Sequence, residues 1–178
     1  MSQFKLSATL KISVKEAELL IDKYFKTFPK IGGKLTNLGR FAIINGFILT
    51  LKPYFRIRYY PQWEQVKALV PYHIQGIQHN SLLGAIERTG KNTPIQGSSA
   101  DMTKLALVLI LRYIKKHKLR NKVKLVMQVH DQITTLCQRE FAPIWAPILQ
   151  ELMEQAAKVV IPSGLLKAEV GITECWTK

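Results

Sequence analysis

The sequence is poor in acidic residues and in cysteine. It has 178 residues, with 12 Asp and Glu against 26 Lys and Arg, which gives a formal net charge of +14. Two cysteines, Cys137 and Cys175, exclude a disulfide-built scaffold and a four-cysteine zinc site. The longest apolar run, Leu105 to Leu111, is too short to cross a bilayer. The N-terminus also lacks the apolar run of a signal peptide, so we expect a soluble cytoplasmic protein without a membrane partner.

The residues that are abundant indicate a folded, basic protein. Hydrophobic residues make up 47% of the chain, enough to bury a core, so extensive disorder is not expected. A net charge of +14 favours a polyanionic partner: nucleic acid first, an anionic membrane surface second. A basic protein without such a partner is the less common alternative. The four histidines show no metal-ligand spacing with the cysteines.

Hydrophobic periodicity predicts several helices. Ser13 and Glu16 form a capping box ahead of an apolar stripe at helical spacing, which Pro29 and the Gly32-Gly33 pair interrupt. Pro94 suits the first turn of a later helix, because proline has no N–H to leave unpaired there. The segment from Pro61 to Gly90 has a weak pattern. We therefore predict helices after Ser13, from about Lys34 to Asn45 with Gly46 as the stop, from Pro94 to the basic stretch Lys115 to Lys118, and from Phe141 to Val160.

The strand pattern is that of an antiparallel hairpin. Leu125 to Val129 and Ile133 to Leu136 are β-prone runs separated by a polar interruption, His130-Asp131-Gln132. Phe47 to Leu51 and Ala168 to Val170 are predicted as further short strands. Strands and helices do not alternate regularly, so the predicted class is α+β with an antiparallel hairpin packed on helices.

Asp131 is the candidate for chemistry, because it lies at the predicted hairpin turn. A hairpin tip holds a carboxylate rigidly beyond its apolar strands, as a metal-dependent phosphoryl-transfer site requires. Taken alone, an aspartate in a turn is equally consistent with ordinary turn chemistry.

A second candidate set precedes the amphipathic helix. Arg88, Asn92 and Gln96 recur every four residues. Their long donor side chains suit minor-groove acceptors and sugar-phosphate oxygens of DNA. By themselves they are equally consistent with a solvated helix face.

Together, these motifs resemble the family A DNA polymerases, the group of bacterial DNA polymerase I and related phage enzymes. The resemblance runs in order along nearly the whole chain and is weakest from Lys52 to Ser81. The resembling segments are the Arg88 to Lys104 stretch with Pro94-Ile95-Gln96-Gly97-Ser98 and Asp101, the Gln128-Val129-His130-Asp131 motif C, the Ile12 to Pro29 stretch that follows the family's fingers helix, and Glu169-Val170-Gly171 with Trp176. This implies that residues 1–178 form a C-terminal palm and fingers portion.

The resemblance implies roles for particular residues. Asp131 would bind catalytic Mg²⁺, and His130 would lie near the primer terminus. Arg88, Asn92 and Gln96 would contact the DNA minor groove and template strand. Gln132 stands where the family usually has Glu; it weakens the local negative charge at the catalytic site but need not abolish activity. The basic run from Lys52 to Arg58 corresponds to an arginine-rich turn of the family, with different spacing.

Two family motifs have no counterpart in the sequence: the Asp-Tyr-Ser-x-x-Glu type motif A and the nucleotide-binding motif B helix. The resemblance therefore implies a subunit of a split DNA-directed DNA polymerase in DNA replication, in a bacterial or phage-infected cytoplasm. A second polymerase chain would carry motifs A and B, complete a two-Mg²⁺ nucleotidyltransferase site with Asp131, and bind deoxynucleoside triphosphates opposite primer–template DNA. We expect no polymerase activity from this chain alone. The alternatives are a non-catalytic DNA-binding remnant and an unrelated basic domain with coincident motifs.

Overall fold

A computed structural model describes residues 3–176. It divides into two compact units, one of residues 3–48 and 59–91 and the other of residues 49–58 and 92–176. The helices are α1 (Gln3–Leu10), α2 (Val14–Thr27), α3 (Pro29–Asn45), α4 (Trp63–Val66), α5 (Val70–Ile74), α6 (Ser81–Lys116) and α7 (Ala142–Val160), and the strands are β1 (Phe47–Leu49), β2 (Ile57–Tyr59), β3 (Val123–Val129) and β4 (Gln132–Cys137). Strands pair as β1–β2 and β3–β4, so the fold is mainly helical with two hairpins, which confirms the α+β prediction.

The capping box of α2 is confirmed. The Ser13 hydroxyl accepts a hydrogen bond from the Glu16 N–H at 3.2 Å, and the Glu16 carboxylate accepts one from the Ser13 N–H at 2.9 Å. The periodicity predicts that the whole apolar stripe of α2 is buried, but the structure buries only its Ala17. The large apolar side chains of the stripe are exposed instead, including Leu20, Tyr24 and Phe28.

Helix α3 begins earlier than predicted but ends where predicted. Pro29 occupies its first turn, where a missing N–H costs no hydrogen bond, and Gly32 and Gly33 lie inside the helix. Gly46 ends the helix with φ 74°, and the Trp63 ring lies 2.6 Å from where a Cβ would be, so glycine is required there. The core of this unit consists of Ala42, Ile43, Ile48, Tyr60, Val66, Val70, Leu83 and Ile86.

The prediction that Pro94 lies in a first helical turn is wrong. Helix α6 begins at Ser81 and contains Pro94 in its interior. The start is set by Asn80, whose side-chain oxygen accepts hydrogen bonds from the N–H groups of Leu82 and Leu83, each at 3.0 Å. Proline cannot donate the backbone hydrogen bond at its own position, but the 36-residue helix continues through Pro94.

The second unit packs the β3–β4 hairpin and α7 against the C-terminal part of α6. Its core consists of Ala106, Ile110, Ile114, Val123, Ile133, Trp145, Leu149, Leu152 and Ala156. The strand predicted at Ala168 to Val170 does not form; the Ala168 N–H donates to Glu154 of α7 at 3.3 Å instead of to a neighbouring strand. Within residues 3–176 no helix is both long and apolar enough to span a bilayer.

Candidate functional site

The β3–β4 hairpin places His130 and Asp131 in a two-residue turn. The closing pair is Val129 opposite Gln132, in antiparallel register. His130 has φ 52°, a left-handed conformation that is uncommon for a residue with a side chain. The Gln128 side-chain amide donates a 2.5 Å hydrogen bond to the His130 carbonyl oxygen across the turn. The predicted hairpin is therefore confirmed, with Asp131 at its tip.

The Asp131 carboxylate is exposed and makes no hydrogen bond or ion pair within residues 3–176. His130 and Gln132, its neighbours in the sequence, are also exposed. Carboxylate oxygen is the ligand type that Mg²⁺ prefers. The described residues contain no group of three or more His, Cys, Asp or Glu side chains that could hold a metal ion. Asp131 thus offers one suitable ligand, and these residues alone do not form a metal site.

The hairpin is held by packing below its tip. Val123 and Ile133 are buried, whereas Lys124, Val126 and Gln128 are exposed. Trp145 of α7 donates a 2.9 Å hydrogen bond from its indole N–H to the Thr135 hydroxyl of β4. This contact fixes α7 on the hairpin and supports the turn from its base.

The three predicted DNA-contact residues lie on α6, and all three side chains are exposed. Arg88 belongs to the part of α6 in the first unit. Asn92 and Gln96 belong to the second unit and, four residues apart, share one face of the helix. Their side chains are available to an external ligand.

The neighbouring motif residues have a different role, which the sequence reasoning missed. Gly97, Ser98 and Asp101 hold the segment of residues 49–58 against α6. The Ser98 hydroxyl accepts a hydrogen bond from the Leu51 N–H at 2.8 Å and donates to the Pro94 carbonyl at 2.5 Å. A Cβ on Gly97 would lie 2.6 Å from the Thr50 methyl group, so glycine permits this close approach.

An ion pair between the half-exposed Arg56 and the buried Asp101 completes this attachment. The Arg56 Nε atom lies 2.5 Å from Asp101 Oδ1, and the Asp101 side chain is 5% exposed. The other carboxylate oxygen, Oδ2, is buried without a hydrogen-bond partner among the described residues. Arg56 lies in the basic run from Lys52 to Arg58, which is the sequence signal that could have indicated a carboxylate partner.

The structure thus has an exposed carboxylate at the turn of the β3–β4 hairpin and exposed donor side chains along α6. The sequence model of DNA polymerase family A matches residues 1–178. The chain therefore belongs to DNA polymerase family A.

Individual relatives agree with this assignment. The chain is 35% identical to DNA polymerase I of Caldicellulosiruptor bescii over 90% of its own length and 17% of the relative's. It is 32% identical to the thermostable DNA polymerase I of Thermus aquaticus, over 99% of its own length and 19% of the relative's. The chain thus spans less than a fifth of the relatives that it matches.

A solved structure shares the fold. The chain resembles the POL domain of Pol1 from M. smegmatis, solved as a complex with DNA primer–template and dNTP, with a TM-score of 0.68 and 28% sequence identity. The match covers 87% of this chain and 24% of that chain. The fold expected from the resemblance is therefore confirmed.

Proposed function

We propose that residues 1–178 form a C-terminal palm and fingers portion of a DNA-directed DNA polymerase. In this proposal the chain binds primer–template DNA and contributes Asp131 to nucleotidyl transfer. The observation that carries it is the exposed Asp131 carboxylate at the tip of the β3–β4 hairpin, in a chain that matches the polymerase family along its whole length.

Asp131 is proposed as one ligand of a Mg²⁺ site. Mg²⁺ bound there would activate the attacking oxygen and stabilise the leaving oxygen in phosphoryl transfer. Because the described residues contain no group of three or more possible metal ligands, the remaining ligands are proposed to come from polypeptide outside these 178 residues, either a second chain or another part of the same one. The same polypeptide would carry the nucleotide-binding motif B. The cytoplasmic location stays a prediction.

Arg88, Asn92 and Gln96 are proposed to bind the primer–template. Their donors suit minor-groove acceptors and sugar oxygens, which are shared by all sequences. His130 is proposed to lie near the primer terminus, since it precedes Asp131 in the turn. Gln132 is proposed to lower the negative charge of the site, because a neutral amide stands next to Asp131 in place of the usual glutamate.

Primer extension by the assembled enzyme tests the proposal. The 178-residue chain is combined with the polypeptide that supplies motifs A and B, and extension of a labelled primer is followed with Mg²⁺. Asp131→Asn keeps the shape of the side chain but removes its charge, and we expect a loss of about 10²- to 10³-fold, as for several kcal/mol of lost transition-state stabilisation. Gln132→Glu should raise extension at limiting Mg²⁺, because it restores an anion.

The matched control is Asp22→Asn, which removes an exposed carboxylate from α2. It should leave extension unchanged. Wild-type extension with Asp131→Asn would show that Asp131 does not have this role. Robust extension by the 178-residue chain alone would show that no further polypeptide is needed.

A non-catalytic DNA-binding remnant is the second candidate. The observation that favours it is Gln132 beside a lone carboxylate, in described residues that hold no multi-ligand metal cluster. This alternative requires salt-sensitive binding of duplex DNA and no extension with any motif A and B polypeptide.

A further inference from the structure

Positive charge is concentrated away from the hairpin tip. Residues 112–124 contain seven Lys and Arg and no Asp or Glu, so they contribute +7 of the net +14. These cations are Arg112, Lys115, Lys116, Lys118, Arg120, Lys122 and Lys124. Half of the net charge therefore lies in one short segment, which includes the end of α6 and the start of β3.

Part of this segment forms a groove of about 510 Å³, which we call the basic groove. It lies within the second unit, between the end of α6, the 3₁₀ turn Leu119–Asn121 and the first residues of β3. Its cations are Arg112, Lys115, Arg120 and Lys124, and its aliphatic residues are Leu111, Ile114, Val123 and Leu125. Three separate elements thus bring four cations around one aliphatic floor.

Nothing inside the described chain neutralises these cations. All four side chains are exposed, and none forms an ion pair or a side-chain hydrogen bond within residues 3–176. Like charges closer than the Debye length, about 8 Å at physiological salt, repel each other. The arrangement is therefore unfavourable in the free chain and is relieved by an external polyanion.

We propose that the basic groove binds the sugar–phosphate backbone of duplex DNA. Lysine and arginine contacts to phosphates give strong, sequence-independent binding, and displaced counterions add to the driving force. No aromatic side chain lines the groove, whereas sites for single strands stack bases on aromatic rings. The aliphatic floor suits the apolar faces of deoxyribose.

This contact is separate from the proposed catalytic site. Lys124 lies near the first residue of β3, and the His130-Asp131 turn follows its last residue. Seven residues of strand separate the two ends by about 20 Å. The basic groove is therefore a second DNA contact, and its existence does not depend on any role of Asp131.

The test measures duplex binding by the 178-residue chain over a series of salt concentrations, using fluorescence anisotropy of a labelled duplex. The groove variant combines Arg112→Gln, Lys115→Gln, Arg120→Gln and Lys124→Gln. Log K falls with log salt, and each lost phosphate contact makes this negative slope shallower by about 0.9. We therefore expect the magnitude of the slope to decrease by about 2 to 4.

The control variant combines Lys23→Gln, Lys26→Gln, Lys30→Gln and Lys34→Gln, which removes the same charge from exposed positions of α2 and α3. Its slope should fall by less than about 1. Equal losses in the two variants would overturn the proposal, because they would show a general charge effect. Because the binding assay contains neither Mg²⁺ nor nucleotide, its result is separate from that of the extension assay.

Further measurements keep the result interpretable. Circular dichroism checks the fold, and a charge-conserving variant, Arg112→Lys with Arg120→Lys, should bind duplex like the wild type. If that conservative variant binds as poorly as the groove variant, phosphate recognition by charge is wrong. Groove-dependent binding of a single-stranded oligonucleotide or of polyglutamate, without groove-dependent duplex binding, would likewise overturn the proposal in favour of another partner.

Discussion

His130 shows how one residue defines the candidate catalytic turn. Its φ of 52° lies in the left-handed region, which costs an ordinary residue about 1 kcal/mol or more. The hairpin register and the Gln128 hydrogen bond to the His130 carbonyl hold this conformation. The stable strands therefore maintain a turn that the local backbone alone would not favour, and Asp131 occupies its second position.

Gly97 shows how a residue supports α6 without belonging to its exposed donor face. It lies in α6 beside exposed Gln96, but it contacts Thr50 rather than solvent. The motif around Pro94 therefore contains two kinds of residue, exposed donors and buried attachment points.

Gly97→Ala should destabilise the chain by about 1–3 kcal/mol, because the new Cβ would lie 2.6 Å from the Thr50 methyl group. Urea unfolding measures the change. Adding Thr50→Ser removes that methyl group, keeps the hydroxyl and should recover part of the loss.

Gly33→Ala is the matched control, since it also lies inside a helix but nothing lies within 4 Å of its added Cβ. It should stabilise the chain by up to about 1 kcal/mol through helix propensity. If both alanine variants shift stability alike, or Thr50→Ser gives no recovery, the close approach does not explain the glycine.

At the scale of elements, α7 connects the hairpin to the C-terminal segment. Trp145 near its start binds Thr135 of β4, and Glu154 near its end binds Lys167 and Ala168. The hydrogen bond from Lys167 is the main reason that the pKa of Glu154 lies below its usual value, and the Ala168 N–H and Gln150 add to it. The Glu154 carboxylate is thus one attachment of the chain after α7, beside the Arg139–Glu174 ion pair and the packing of Val170 on the core.

This attachment predicts a pH dependence. A carboxyl group whose pKa is lowered by folding stabilises the fold above its unfolded pKa and loses that contribution as pH falls through the folded pKa. The difference in melting temperature between wild type and Glu154→Gln should therefore be largest near neutral pH and should shrink below the ordinary value of 4.5.

Thermal unfolding at a series of pH values measures this difference. Glu151→Gln on the same helix is the control, because its side chain contacts Gln155 and no cation among residues 3–176. A Glu154→Gln difference that stays constant down to acidic pH would exclude a role for the charged carboxylate.

At the scale of the whole molecule, the chain combines a large positive charge with an exposed apolar surface. The α2 surface consists of the exposed side chains of Val14, Leu20, Tyr24 and Phe25, which share one face of the helix, and of Phe28 at its C-cap. Large contiguous apolar patches are rare on monomeric proteins.

We expect the isolated chain to self-associate through this α2 surface. Leu20→Lys with Tyr24→Lys should increase the monomer fraction in sedimentation velocity. Leu165→Lys replaces an exposed leucine outside α2 and should have no such effect. A wild-type chain that remains monomeric at high concentration would contradict this expectation.

Local signals in the sequence were sufficient to predict several features of the structure. The capping box at Ser13, the stop at Gly46, the β3–β4 hairpin and helix α7 all depend on neighbouring residues, and the structure confirms them. The motifs, which occur in the family's order, were sufficient to predict the family. The roles of Asp131, Arg88, Asn92 and Gln96 in catalysis and DNA binding remain predictions.

Features that depend on distant residues were decided by tertiary structure. The start of α6 at Ser81, its passage through Pro94, and the absence of a strand at Ala168 to Val170 reflect capping and side-chain contacts that periodicity does not contain. Motif residues separate into exposed donors and buried supports because residues 49–58 pack on one side of α6. The sequence by itself determined the family, the basic character and the hairpin turn, and only packing decided which side chains are exposed to bind a ligand.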